Sequence, residues 1–150
     1  MQMRNDAVGE RAVRAPWWFR VSAALMPAGT LAQFLLAGQA LFHDSDFWGL
    51  HGALGGSLSI PSATLLVGAL CRRRLRHFAW GATLVFVFYA LQVALAAGRL
   101  PMALSLHPFN AGLLLIASLL LLTKIEGQAT RAAVKASALS SASKMLGTVP

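Results

Sequence analysis

Two histidines in this chain sit in a context that suits ligand chemistry. His51 and His107 each follow a leucine, in LHGALGG and LHPFNAG, and small residues come after both. A neutral imidazole keeps a lone pair on one ring nitrogen, which makes it a ready metal ligand. Two imidazoles aimed at one point between helices form the ligand set of a six-coordinate haem iron. A porphyrin on such a ligand lies close to the ligand's own helix, so the side chains one turn on must be small. Gly55 stands one turn after His51, with Gly52 and Gly56 alongside, and Ala111 stands one turn after His107, with Gly112 next. The same small residues also let helices approach closely with no cofactor present. Both uses of the glycines stay open.

The other polar residues fit quieter roles. His43 begins the acidic stretch HDSDFWGLH and His77 follows an arginine block, so both read as loop or headgroup contacts. Gln33, Gln39, Gln92 and Asn110 fall within apolar segments, where amides serve as interhelical hydrogen-bonding groups or mark a site. Arg99 is placed to meet a haem propionate or to snorkel to the interface, and Asp44 and Asp46 read as a solvated loop face. The single cysteine, Cys71, excludes an internal disulfide and a multi-cysteine metal or iron–sulfur site. No nucleophile–base set, carboxylate pair, phosphate loop or HExxH motif is present, so nothing supports hydrolase or transferase chemistry.

The elements that must carry these residues are membrane helices. Of 150 residues, 57% are hydrophobic and 12% charged, where a soluble domain carries roughly 25% charge. Four apolar segments each approach the ~20 residues needed to cross the hydrocarbon. They run from about Arg20 to Phe42, Gly52 to Cys71, Phe78 to Gly98 and Pro108 to Thr123. In lipid the backbone must satisfy its own hydrogen bonds, so the expected fold is all-α, a four-transmembrane-helix bundle. Pro27 and Pro61 lie inside two segments and are expected to kink them. The expected division is an N-terminal segment 1–19, a transmembrane domain 20–123 and an Ala/Ser/Lys tail 124–150, disordered or weakly helical at the interface. No cleavable signal peptide is evident, and the first segment reads as a retained span.

The net charge of +8 is distributed as an orientation signal and not as a nucleic-acid face. Twelve cations lie in the N-terminal segment (Arg4, Arg11, Arg14, Arg20), the central loop (Arg72, Arg73, Arg74, Arg76) and the tail (Lys124, Arg131, Lys135, Lys144), against Arg99 alone in the other two loops. This split predicts cytoplasmic N and C termini, with His43 to His51 and Arg99 to Pro108 facing outward. Trp17, Trp18 and Trp80 then fall at the inner interface and Trp48 at the outer one. The expected location is the bacterial cytoplasmic membrane, with anionic lipid as a partner.

The two hairpins read as related. LAQFLLAGQALF leads through a loop to LHGALGG, and ALQVALAAGRL leads to LHPFNAG, with eighteen positions from Gln33 to His51 and fifteen from Gln92 to His107. Two such hairpins would run in the same direction about an axis along the membrane normal. His51 and His107 would then face each other diagonally across the bundle core, where bundles build cofactor sites.

The LAQFLLAG, LHGALGG and LHPFNAG elements resemble an uncharacterised family of small four-helix bacterial membrane proteins, with a Gln-rich first helix and Leu-His openings to the second and fourth. The resemblance covers about residues 25–123 and implies a fold but no activity. The arrangement is also similar in kind to transmembrane b-type cytochromes with bis-histidine haem. Those often carry histidines on both membrane sides, and the absent inner pair limits this chain to one haem. Three functions follow as expectations. One is a small b-type cytochrome or redox subunit with haem b on His51 and His107, flanked by Gly55, Ala111 and Arg99, working with a quinol or redox protein. The second is a cofactor-free accessory subunit of a larger membrane complex. The third, a transporter or channel, ranks last because no charged residue lies within the expected spans.

Overall fold

The structure, a computed structural model, describes residues 15–98 and 100–146. Arg4, Arg11, Arg14 and Arg99 lie outside the described residues. The apolar segments form α1 (Trp17–Phe42), α2 (Phe47–Ser57), α3 (Ser59–Cys71), a 3₁₀ helix (Arg73–Phe78), α4 (Ala79–Ala97) and α5 (Pro101–Leu146). Among the described residues there is no strand. Four stretches are long and apolar enough to cross a membrane: α1, α2 with α3, the 3₁₀ helix with α4, and α5 as far as Val134. Large apolar side chains point outward along them, including Leu31, Leu35, Ile60, Leu91, Ile116 and Leu120. This is the surface that lipid covers.

The helices close into a ring. α1 packs against α2, α3 and α5, and α4 packs against α3 and α5. The second and fourth spans are therefore diagonal partners, as are the first and third. At the basic end the ring is filled by Phe19, Met26, Leu65, Phe78, Val85 and Leu121, all buried. The 3₁₀ helix seals this end because its threefold period turns Leu75 and Phe78 inward together. At the other end α2 buries no residue, and a space opens between the helices.

The second span carries a proline, Pro61, close to this opening. Pro61 has no N–H for the Ser57 carbonyl and its ring crowds that residue, so the second span is interrupted at Leu58 between α2 and α3. Ser57 donates to the Leu54 carbonyl at 2.7 Å and Ser59 to the Gly56 carbonyl at 2.7 Å, adding hydroxyl bonds to backbone on the α2 side of the break. Leu58 itself is buried and seats on Gly29 of α1, where a Cβ would lie 2.5 Å from the Leu58 Cδ2. The break is pinned at its inner edge, and α2 beyond it rests on α1. Pro27 and Pro108 leave α1 and α5 continuous.

The helices outrun the expected spans. α1 starts at Trp17, so Arg20 lies within it. α5 starts at Pro101, a residue suited to a first helical position, and continues through the expected tail to Leu146. Arg20 donates from Nε and Nη2 to the two carboxylate oxygens of Glu126, at 3.0 and 2.8 Å, tying α1 to α5 at the basic end. Charged residues thus lie inside the first and last helices, and Arg20, in the first turn of α1, pairs with Glu126 in the middle of α5.

Candidate functional site

The open end of the bundle holds a cavity of about 660 Å³, within the usual range of small-molecule sites. All four spans contribute: Gln33 and Phe34 from α1, Gly52 and Gly55 from α2, Tyr89 and Gln92 from α4, His107 and Ala111 from α5, with His51 on the α2 wall. Among the described residues no aspartate, glutamate, lysine or arginine lines it. The structure brings His51 and His107 together across the diagonal, with ring centres 6.3 Å apart and planes at 52°.

Each imidazole is held by the helix before its own. His51 Nδ1 lies 3.2 Å from the Gln33 carbonyl oxygen, and His107 Nδ1 lies 3.1 Å from that of Gln92. A backbone carbonyl only accepts, so each Nδ1 carries the proton and donates it. The neutral ring then keeps its lone pair on Nε2. This second-sphere arrangement orients metal-ligating histidines in general, and it also raises ligand basicity. The Gln33 amide returns a bond from Nε2 to the His51 carbonyl at 2.9 Å, and Trp48 packs edge-on to the His51 ring with centres 5.4 Å apart.

The second half uses its amides differently. Asn110 Nδ2 donates to the Phe88 carbonyl at 2.9 Å and to Gln92 Oε1 at 2.6 Å, binding α5 to α4. Gln33, Gln92 and Asn110 are therefore interhelical hydrogen-bonding groups. For Gln39, the backbone carbonyl accepts from His43 and Asp44.

Gly55 and Ala111 both line the cavity. Gly55 is closely approached, since a Cβ there would stand 3.1 Å from Gln33 Nε2. Gly52, Gly56 and Gly112 have nothing within 4 Å of where a Cβ would lie, so among the described residues no neighbouring helix crowds these positions. His43 and His77 stand apart from the cavity. His43 packs beside Phe47, and His77 Nε2 lies 2.8 Å from Gln128 Oε1. Arg99 lies outside the described residues. Among the described residues no group of three histidine, cysteine or carboxylate side chains is placed to hold a metal.

One contributor escaped sequence reasoning. Tyr89 lines the cavity and donates from its hydroxyl to the Gly55 carbonyl at 3.1 Å. That bond links α2 to α4, two helices that are not otherwise closely packed. The available signal was modest: it is the one tyrosine of the chain, and it lies in mid-span.

Residues 33–98 match a family of unknown function, DUF6220. The match covers under half of the chain, from Gln33 to Gly98, and fits the resemblance to an uncharacterised membrane-protein family. No curated protein and no solved structure shows significant similarity.

Proposed function

We propose that this chain is a small integral membrane b-type cytochrome or redox subunit that holds one haem b between His51 and His107. The observation that carries the reading is the pair of imidazoles, each with Nδ1 committed to a carbonyl and Nε2 left to ligate, across a cavity. The ring centres stand 6.3 Å apart, close enough for a group held by both imidazoles to lie between them.

The charge of the site favours a macrocycle over a bare ion. Two neutral imidazoles with no carboxylate would leave a divalent cation uncompensated in an apolar cavity, at high cost. A porphyrin supplies two negative charges from its own nitrogens and an apolar rim. Gly52, Gly55 and Ala111 leave room beside the ligands. A bound haem would supply one-electron chemistry. The residues of the chain would hold it, fix the imidazole tautomers and exclude water.

In this reading the twelve-to-one cation split places the termini and the arginine loop in the cytoplasm of a bacterium and the haem near the outer face of its inner membrane. Electron exchange then involves a quinol or a redox protein on that side. One observation favours a second reading, a cofactor-free accessory subunit. Gly52, Gly56 and Gly112 present open, small surfaces that a helix of another subunit would fit.

An absorption spectrum of the purified protein, oxidised and then dithionite-reduced, separates the two. The cytochrome reading expects a sharp, split reduced band. His51→Ala or His107→Ala should abolish or radically alter it, while His43→Ala and His77→Ala preserve it. Protein purified from haem-replete cells with no such band, and none on adding haem, refutes the cytochrome reading.

A further inference from the structure

The basic end of the bundle carries more positive charge than the described residues balance. Arg20 is matched by Glu126, the one carboxylate at this end among the described residues. Two more cations are engaged otherwise. Lys124 Nζ donates to the His77 carbonyl at 2.9 Å and stands 5.9 Å from the Phe78 ring centre. The Arg72 guanidinium lies over Trp18 at 5.9 Å. Arg73, Arg74 and Arg76 remain, all exposed, and no carboxylate among the described residues pairs with them.

Their helix type arranges them. A 3₁₀ helix has three residues per turn and rises about 2 Å per residue, so residues three apart eclipse, about 6 Å from each other along the axis. Leu75 and Phe78 share the inward edge and are buried. Arg73 and Arg76 therefore share one outward edge of the helix. The helix is held in place on α5 by the Lys124–His77 and His77–Gln128 hydrogen bonds. Trp80, one turn beyond Arg76, is 75% exposed, as is Trp17 at the same end. Exposed tryptophans of this kind sit at headgroup level in a bilayer.

We propose that the Arg73–Arg76 edge of the 3₁₀ helix is a binding site for the phosphate of an anionic phospholipid. Guanidinium forks match phosphate oxygens bidentately. A diester phosphate spanning the two forks gains contacts from both, and Trp80 lies level with the glycerol region. The charge that the described residues leave unbalanced is supplied by the leaflet. This site is separate from the cavity at the opposite end and does not depend on any cofactor.

The test uses the full-length protein in phosphatidylcholine vesicles containing brominated phosphatidylglycerol or, at equal mole fraction, brominated phosphatidylcholine. Bromine on the lipid quenches tryptophans that the lipid contacts. The native protein should be quenched more strongly by the glycerol lipid. Arg73→Gln with Arg76→Gln should remove that preference, weakening it about 25-fold at about fivefold per cation. Arg73→Lys with Arg76→Lys should keep part of it, and Arg131→Gln should keep all of it. Equal quenching of the native protein by the two lipids overturns the proposal without any variant. An undiminished preference in the double glutamine variant also overturns it. If inorganic phosphate displaces the lipid at constant ionic strength, the site takes free anions and the lipid assignment fails.

Discussion

Replacing Gly56 by leucine separates a cofactor cavity from a helix-packing surface. Gly56 lines the 660 Å³ cavity, and a Cβ at this position meets no atom within 4 Å. The usual overpacking cost of about 1–3 kcal/mol is therefore absent from the cofactor-free chain. Glycine is also the poorest ordinary residue for a helix interior, so the change should add about 1 kcal/mol of stability. For a chain of this size that corresponds to a rise of about 2–4 °C in melting temperature.

Haem binding should respond the other way. The added side chain projects into the space a ring on His51 would occupy. Restoring the overpacking cost of about 1–3 kcal/mol in the bound state weakens binding by about 5- to 150-fold. The assay is thermal unfolding in detergent followed by size exclusion, alongside haem titration and the reduced-minus-oxidised spectrum. A variant that collapses or aggregates contradicts the open space at position 56 and favours packing. A variant that binds haem with native affinity refutes the placement of the ring along this face of α2.

Three further outcomes are expected. Tyr89→Phe removes the hydrogen bond to Gly55, worth about 1 kcal/mol; haem stoichiometry should hold while the electron paramagnetic resonance g-values shift, and unchanged g-values would show that the hydroxyl does not position His51. Gly68→Ala places a Cβ 2.8 Å from one Trp18 ring carbon and 3.3 Å from Phe19 Cδ2, so stability should fall by about 1–3 kcal/mol, read as a lower melting temperature. In a Cys71→Ser background, Ser45→Cys should react with an impermeant thiol reagent from the outside of cells only; labelling from the cytoplasmic side alone inverts the orientation.

The sequence carried the parts of this fold that depend on local pattern. Apolar run length set the four spans, because lipid leaves the backbone no other way to satisfy its hydrogen bonds. Leu-His at the start of two spans pointed to a diagonal pair, and the structure brings those rings together. The cavity was not legible, since it arises from a tertiary event. Pro61 predicts a kink, but that the break falls at Leu58 and is locked by Leu58 seating on Gly29 depends on a helix 29 residues earlier in the chain. The role of Tyr89 was hard to read for the same reason, its partner being a backbone carbonyl on another span. The continuation of α5 was half legible. Its alanines favour helix, but Ile125 and Ala129 are buried and Glu126 is paired with Arg20, contacts that no tail composition announces.

The two hairpins show which part of the internal similarity has structural content. Both keep the bond from a histidine Nδ1 to a glutamine backbone carbonyl, at 3.2 and 3.1 Å. A backbone carbonyl is present at every residue, so this bond alone does not call for glutamine. The side chains explain the residue type, and they do so differently. Gln33 donates to the His51 carbonyl, while Gln92 accepts from Asn110. The carbonyl–histidine bond fixes a lone pair on each ring, and the amide then braces each helix pair by whichever partner is within reach. In the first hairpin the residue three positions after the histidine is Leu54, which offers no side-chain partner, and the Gln33 amide bonds the histidine backbone. In the second, α5 is continuous through Pro108, and Asn110, one turn beyond His107, stays against α4. What the halves share is the orientation of two imidazoles, and a site needs that to be reproduced more than it needs identical helix contacts.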